Sequence, residues 1–150
     1  MEIVAQEPSA DVITIELSSP RQTVTTQLKF LQPDYMNSIN KEKYIRYSAQ
    51  ALNNPNLPVG IRQDLKNRTR QLKAIFDGIG EYILIDKIPD ENDYTDSTRT
   101  ISTQYSLLKV GKTDIYLEKV NNKWYYSVET VQLIPQLYEE VYIIDTVGLQ

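Results

Sequence analysis

The densest run of oxygen ligands in the chain is Asp90, Glu91, Asn92, Asp93 and Asp96. Its natural chemistry is calcium, a hard cation that takes several oxygens from one loop. The run departs from the helix–loop–helix calcium pattern, because Tyr94 stands where an oxygen ligand belongs and Thr95 stands in place of the turn glycine. A solvated acidic loop is the competing reading, and no metal ligand is assigned. Glu118, Glu129, Glu139 and Glu140 could supply the two carboxylates of a hydrolase acting on a sugar, yet their spacing brings no specific pair together. The chain has neither His nor Cys. That excludes imidazole bases, thiol nucleophiles, disulfides and Cys- or His-ligated metal. No catalytic residue and no cofactor is expected.

Charge and aromatic residues offer binding in place of catalysis. Arg62, Lys66, Arg68, Arg70 and Lys73 lie together against a single Asp64. Residues 1–75 carry 10 basic and 7 acidic side chains and residues 76–150 carry 6 and 13, so the halves differ at +3 and −7. A basic helix can grip phosphates or an anionic membrane. These cations lie off the apolar stripe of their segment, and the net charge of −4 disfavours a dedicated nucleic-acid binder. Pairing with the acidic half or a neighbouring subunit is the expected use, and nucleic acid is not an expected partner. The chain holds 11 Tyr against 2 Phe and 1 Trp. Tyr105, Tyr116, Tyr125 and Tyr126 cluster around Trp124 and could form either a half-buried sheet or a platform for carbohydrate or lipid. Asn67-Arg68-Thr69 is formally a glycosylation sequon.

The elements that carry these residues follow from period and punctuation. Residues 1–16 read as a flexible or extended lead, with Ile13, Ile15 and Leu17 alternating as in a short strand or extended arm. Ser19 before Pro20 starts a helix carrying Val24, Leu28 and Leu31, which Pro33 stops. A second helix follows Asn37-Ser38, with Ile45, Ala49 and Leu52 inward, and ends at Asn53-Asn54-Pro55. A third begins near Pro58 on the stripe Ile61, Leu65, Leu72, Phe76 and Ile79, and Gly78 and Gly80 close it. Tyr82–Ile88 reads as a strand or extended segment before Pro89, and residues 90–100 as a polar loop. The runs 102–110, 113–120 and 123–127, broken by Gly111-Lys112 and Asn121-Asn122, read as a three-stranded meander with Thr113, Ile115 and Leu117 inward. Ser127 caps a last helix with Val131, Ile134, Tyr138 and Val141 buried, kinked or restarted at Pro135, and residues 143–150 form a tail.

The fold class is therefore α+β. A three-helix layer packs on a three-stranded antiparallel meander, with a C-terminal helix, in one domain over 17–142. Trp124, Leu117, Leu65, Leu72 and Phe76 are the expected core. No apolar run is long enough to span a bilayer, and the opening residues lack the basic start and apolar core of a secretory signal.

Several strings resemble an extramembrane N-terminal domain of bacterial proteins in the small-conductance mechanosensitive channel family. They are Ser19-Pro20-Arg21, Ile88-Pro89, Asp93-Tyr94-Thr95-Asp96-Ser97, Ile115 to Val120, Lys123-Trp124-Tyr125-Tyr126-Ser127, Glu129-Thr130-Val131, Ile134-Pro135 and Leu137 to Tyr142. The resemblance covers about residues 17–142 and is densest over 113–142. It implies a periplasmic accessory or sensor domain of an ion-transport membrane protein, with the rest of a channel and neighbouring subunits as partners. Contact with the membrane would then come through transmembrane segments outside this chain. No pore or gate position of that family has a counterpart here. A periplasmic ligand-binding module with a Tyr- and Trp-lined sheet face, its ligand unknown, and a carboxylate-dependent hydrolase are the alternatives.

Overall fold

In a computed structural model, Ser19 and Pro20 start the first helix as their types require. The structure describes residues 14–148, with side chains to Tyr142. Ser19 is extended at φ −154°, its Oγ accepts from the Gln22 amide at 3.1 Å, and Pro20 opens α1 (Pro20–Lys29). This helix ends at Phe30, short of Pro33, which instead opens the single turn α2 (Pro33–Met36). A proline fits the first turn because its missing N–H is an orphan there. Helix α3 (Lys41–Ala49) continues into a 3₁₀ turn to Leu52 and buries Ile45, Ala49 and Leu52. The helix expected from Pro58 is two: a turn α4 (Val59–Arg62) and the long α5 (Leu65–Ile79). Gly80 ends α5 in the left-handed conformation at φ +69°.

Over Tyr82–Ile88, read as a strand or extended segment, no strand forms. Ile85–Lys87 is a 3₁₀ turn, and Ile88 donates its amide back to Ile85 O at 3.0 Å. The apolar residues there pack instead of pairing: Ile88 is buried, while Tyr82 and Leu84 stay exposed. Likewise 14–17 forms no strand, although Leu17 O accepts from the Trp124 amide at 2.8 Å. The remainder of the expected lead, residues 1–13, lies outside the described residues.

The meander is present in the expected order: β1 (Gln104–Val110), β2 (Thr113–Val120) and β3 (Lys123–Tyr126). Both neighbours pair antiparallel, with Tyr105 opposite Leu117 and Leu117 opposite Tyr126. A bulge between Ser106 and Leu108 shifts the register of β1. Asn121 and Asn122 both take positive φ, 51° and 67°, as a two-residue hairpin with right-handed strand twist demands. Ile115 and Leu117 point inward and are fully buried.

The last helix, α6, runs Val128–Gly148 without interruption at Pro135, so residues 143–148 extend the helix and do not form a separate tail. Ser127 caps it, its Oγ accepting from the Thr130 amide at 3.0 Å. Together these elements make an α+β domain in which α1 and the 3₁₀ turn after α3 lie on β3, α3 packs on α5, and α5 packs along α6. The core contains Leu65, Leu72, Phe76, Leu117 and Trp124, all buried as expected. Gly78 sits where α5 meets α6, and a Cβ there would stand 2.8 Å from Val141 Cγ1.

Candidate functional site

The acidic loop is drawn into the fold. Asp90 Oδ1 accepts from Ser19 Oγ at 2.7 Å and from Gln22 Nε2 at 3.3 Å, at the start of α1. Those donors, led by the Ser19 hydroxyl, hold its carboxyl below the usual range. Asn92 donates to Ser18 O at 2.8 Å and to Asn122 O at 3.0 Å, while its own carbonyl accepts from Trp124 Nε1 at 3.0 Å. Asp96 Oδ1 takes the Thr98 hydroxyl at 2.6 Å and the Thr98 amide at 2.9 Å, which lowers its pKa too. The oxygens that would serve calcium thus point at three different protein partners. Among the described residues no three carboxylates gather around one point.

The glutamates weighed for a hydrolase serve the start and surface of the last helix. Glu118 Oε2 accepts from Asn54 Nδ2 at 2.8 Å and from the Val128 amide at 2.9 Å, closing the start of α6 against the loop after α3. Glu129 accepts from Tyr116 Oη at 3.2 Å, and Glu139 and Glu140 are exposed on α6. On the outer face of the sheet, Asp114 binds Arg99 at 3.1 Å and also accepts from Ser106 Oγ. The Arg99 guanidinium lies 4.9 Å from the Tyr116 ring centre. Neither Arg99 nor Asn54 carries a motif signal in the sequence.

The basic helix divides into structural and free cations. Arg68 binds Asp64 at 3.0 Å one turn back and donates to Val131 O on α6 at 2.8 Å. Pro135 has no N–H to offer that carbonyl, so Arg68 supplies the hydrogen bond that the proline removes. Its sequon neighbour Thr69 is fully buried, in a network where Ser48 Oγ lies 2.7 Å from Thr69 Oγ1 and donates to Gln27 O at 2.6 Å. Arg62 donates to the carbonyls of Leu57 and Pro55. Lys66 pairs with Glu42 at 3.0 Å, and that ammonium holds the Glu42 carboxyl below its usual range. By contrast, the side chains of Arg70 and Lys41 form no hydrogen bond or ion pair among the described residues, and both line a cleft of about 300 Å³.

Trp124 and Tyr126, on the inner face of β3, are fully buried in the core, and Tyr125, on the other face, is 9% exposed. Tyr94 links Tyr105 to Trp124 through ring contacts of 5.6 and 6.2 Å. Burial pushes the hydroxyls of Tyr94, Tyr105, Tyr116, Tyr125 and Tyr126 above the ordinary tyrosine pKa. Tyr126 Oη is buried without a hydrogen-bond partner among the described residues. No protein-family model, curated protein or solved structure matches the chain.

Proposed function

We propose that this chain is a non-catalytic extracytoplasmic accessory or sensor domain of a bacterial membrane channel of the small-conductance mechanosensitive type. It acts through contacts with the rest of the channel and with neighbouring subunits. The observation that carries the non-catalytic part is the fate of its reactive side chains. Asp90, Asp96, Asp114 and Glu118 spend their oxygens on caps, turns and strand-to-helix joints. The displaced carboxylates Glu42, Asp90 and Asp96 are all shifted down, away from the raised value a general acid needs near neutral pH.

The channel part rests on the resemblance, whose strings fall on the joints of this fold. Arg21 donates its amide to Pro89 O at 2.9 Å and its Nε to Ile88 O at 2.9 Å. Lys123 to Ser127 forms β3 and the cap of α6, and Pro135 sits against Arg68. Among the described residues no helix is long and apolar enough to cross a membrane, so attachment falls to other segments.

These 150 residues hold no cysteine, so a thiol engineered among them is read by its difference from the unsubstituted protein. Ser97→Cys, at an exposed position of the acidic loop, is placed in the native gene and treated with a membrane-impermeant maleimide on intact spheroplasts. Labelling without lysis is the expected result. Labelling only after lysis would contradict an extracytoplasmic location.

A further inference from the structure

The cleft between α2, α3 and α5 combines two chemistries. Leu31 and Ile45, both buried, and the half-buried Met36 give it an apolar floor. Lys41, Arg70 and Lys73 stand at its rim. Lys73 is already paired with Asp77 at 2.8 Å. The nearby Glu42 is held by Lys66 at 3.0 Å. Arg70 and Lys41 therefore keep exposed charges with no hydrogen bond or ion pair among the described residues, although Glu42 lies close enough to feel both, and the opening, at about 300 Å³, lies at the lower end of ligand-pocket sizes. A second cleft of about 320 Å³ at the other end of the α3–α5 seam lacks this character. Of its three cations, Arg62 is bound to backbone carbonyls and Lys66 to Glu42, which leaves one, Arg46, against two at the first cleft.

We infer that this cleft binds an anionic amphiphile, a short apolar chain on Leu31, Met36 and Ile45 with its carboxylate or phosphate held by Arg70 and Lys41. A simple anion gains little at two exposed, hydrated cations. An uncharged chain leaves those cations unmatched. Only a molecule with both parts uses the whole surface, and its charge and apolar contact act together because they lie on one wall. The ligand can be a free fatty acid-like molecule or the head and first carbons of a membrane lipid. The inference stands independently of the channel reading, since a soluble protein could use the same cleft.

The test is titration of the ¹⁵N-labelled full chain with monomeric decanoate, followed by NMR. Amide shifts are expected at Leu31, Met36, Ile45 and Ala74. Arg70→Gln and Lys41→Gln together should weaken binding by about tenfold or more, the loss of a charge-assisted contact. Both side chains are exposed and unbonded, so the fold should be retained, which the variant's spectrum checks. Decanol and inorganic phosphate should each bind more weakly than decanoate. In a parallel arm, the chain is mixed with phosphatidylglycerol or phosphatidylcholine vesicles. Decanoate binding without vesicle binding identifies a free amphiphile, and phosphatidylglycerol binding weakened by the double substitution identifies a lipid. Shifts confined to other surfaces, unchanged affinity in the double variant, or phosphate binding as tightly as decanoate would overturn the inference.

Discussion

Helix α6 tolerates Pro135 because α5 carries an arginine at the right height, and this can be measured as a coupling. The proline leaves Val131 O without its helical donor, in a residue whose side chain is fully buried, and Arg68 Nη1 donates to it at 2.8 Å. Arg68→Met keeps much of the packing and removes the donor. Losing a hydrogen bond to a charged group costs about 1.5–3 kcal/mol. The partly exposed pair with Asp64 adds at most about 0.5 kcal/mol. Thermal denaturation followed by circular dichroism should register a fall of roughly 5–10 °C, at about 2–4 °C per kcal/mol for a chain of this size. Pro135→Ala returns an N–H to Val131 O and should by itself stabilise the helix. In that background Arg68→Met should cost only about 0.5–1 kcal/mol, giving a coupling of about 1–2 kcal/mol between residues on different helices. Equal costs of Arg68→Met in both backgrounds would refute the idea that Arg68 replaces the missing amide.

Other outcomes follow from the same contacts. Glu118→Gln leaves both donors, the Val128 amide and the Asn54 amide group, sharing one neutral acceptor oxygen, and should destabilise by about 1–2 kcal/mol in urea titration. Tyr126→Phe removes a buried unpaired hydroxyl and should be neutral or stabilising by up to about 1 kcal/mol, so a large loss of stability would reveal a hidden partner. Gly78→Ala brings a methyl against Val141, and should destabilise unless Val141→Ala makes room. Glu42, Asp90 and Asp96 have depressed pKa values in the fold. Their contribution is therefore present above the ordinary carboxylate range and lost as pH falls through their folded values, so the melting temperature should drop below about pH 4. Tyr94, Tyr105, Tyr116, Tyr125 and Tyr126, partly or fully buried, have raised values, so the unfolded chain ionises first and stability should fall as pH rises above 10. A spectrophotometric titration in which all tyrosines ionise at the ordinary value would contradict their burial.

Local rules made much of the fold legible. Ser19-Pro20, Ser127, Gly80 and Asn121-Asn122 each meet a backbone requirement within a few residues, and each sits where its type requires. The period-two face of Ile115 and Leu117 and the helical stripe of Leu65, Leu72 and Phe76 likewise lie inward. Tyr82–Ile88 misled because an apolar run is compatible with burial by any means, and here Ile88 reaches the core from a 3₁₀ turn. The role of each polar group was less legible. Asp90 meets Ser19 across 71 positions, Arg68 meets Val131 across 63, and Asn54 meets Glu118 across 64. No local pattern encodes such pairings. The sequence could therefore weigh the acidic loop as a metal site or a solvated loop without finding its partners, and could not tell which cations of the basic helix are bonded.

The central claim is that this domain belongs to a larger membrane protein. It is tested most directly by an antibody raised against residues 17–142 and used on fractionated cells of the source organism. The expected result is a carbonate-resistant band in the membrane fraction, at a mass well above the 17.4 kDa of this chain. A soluble band at 17.4 kDa and nothing in the membrane would contradict it.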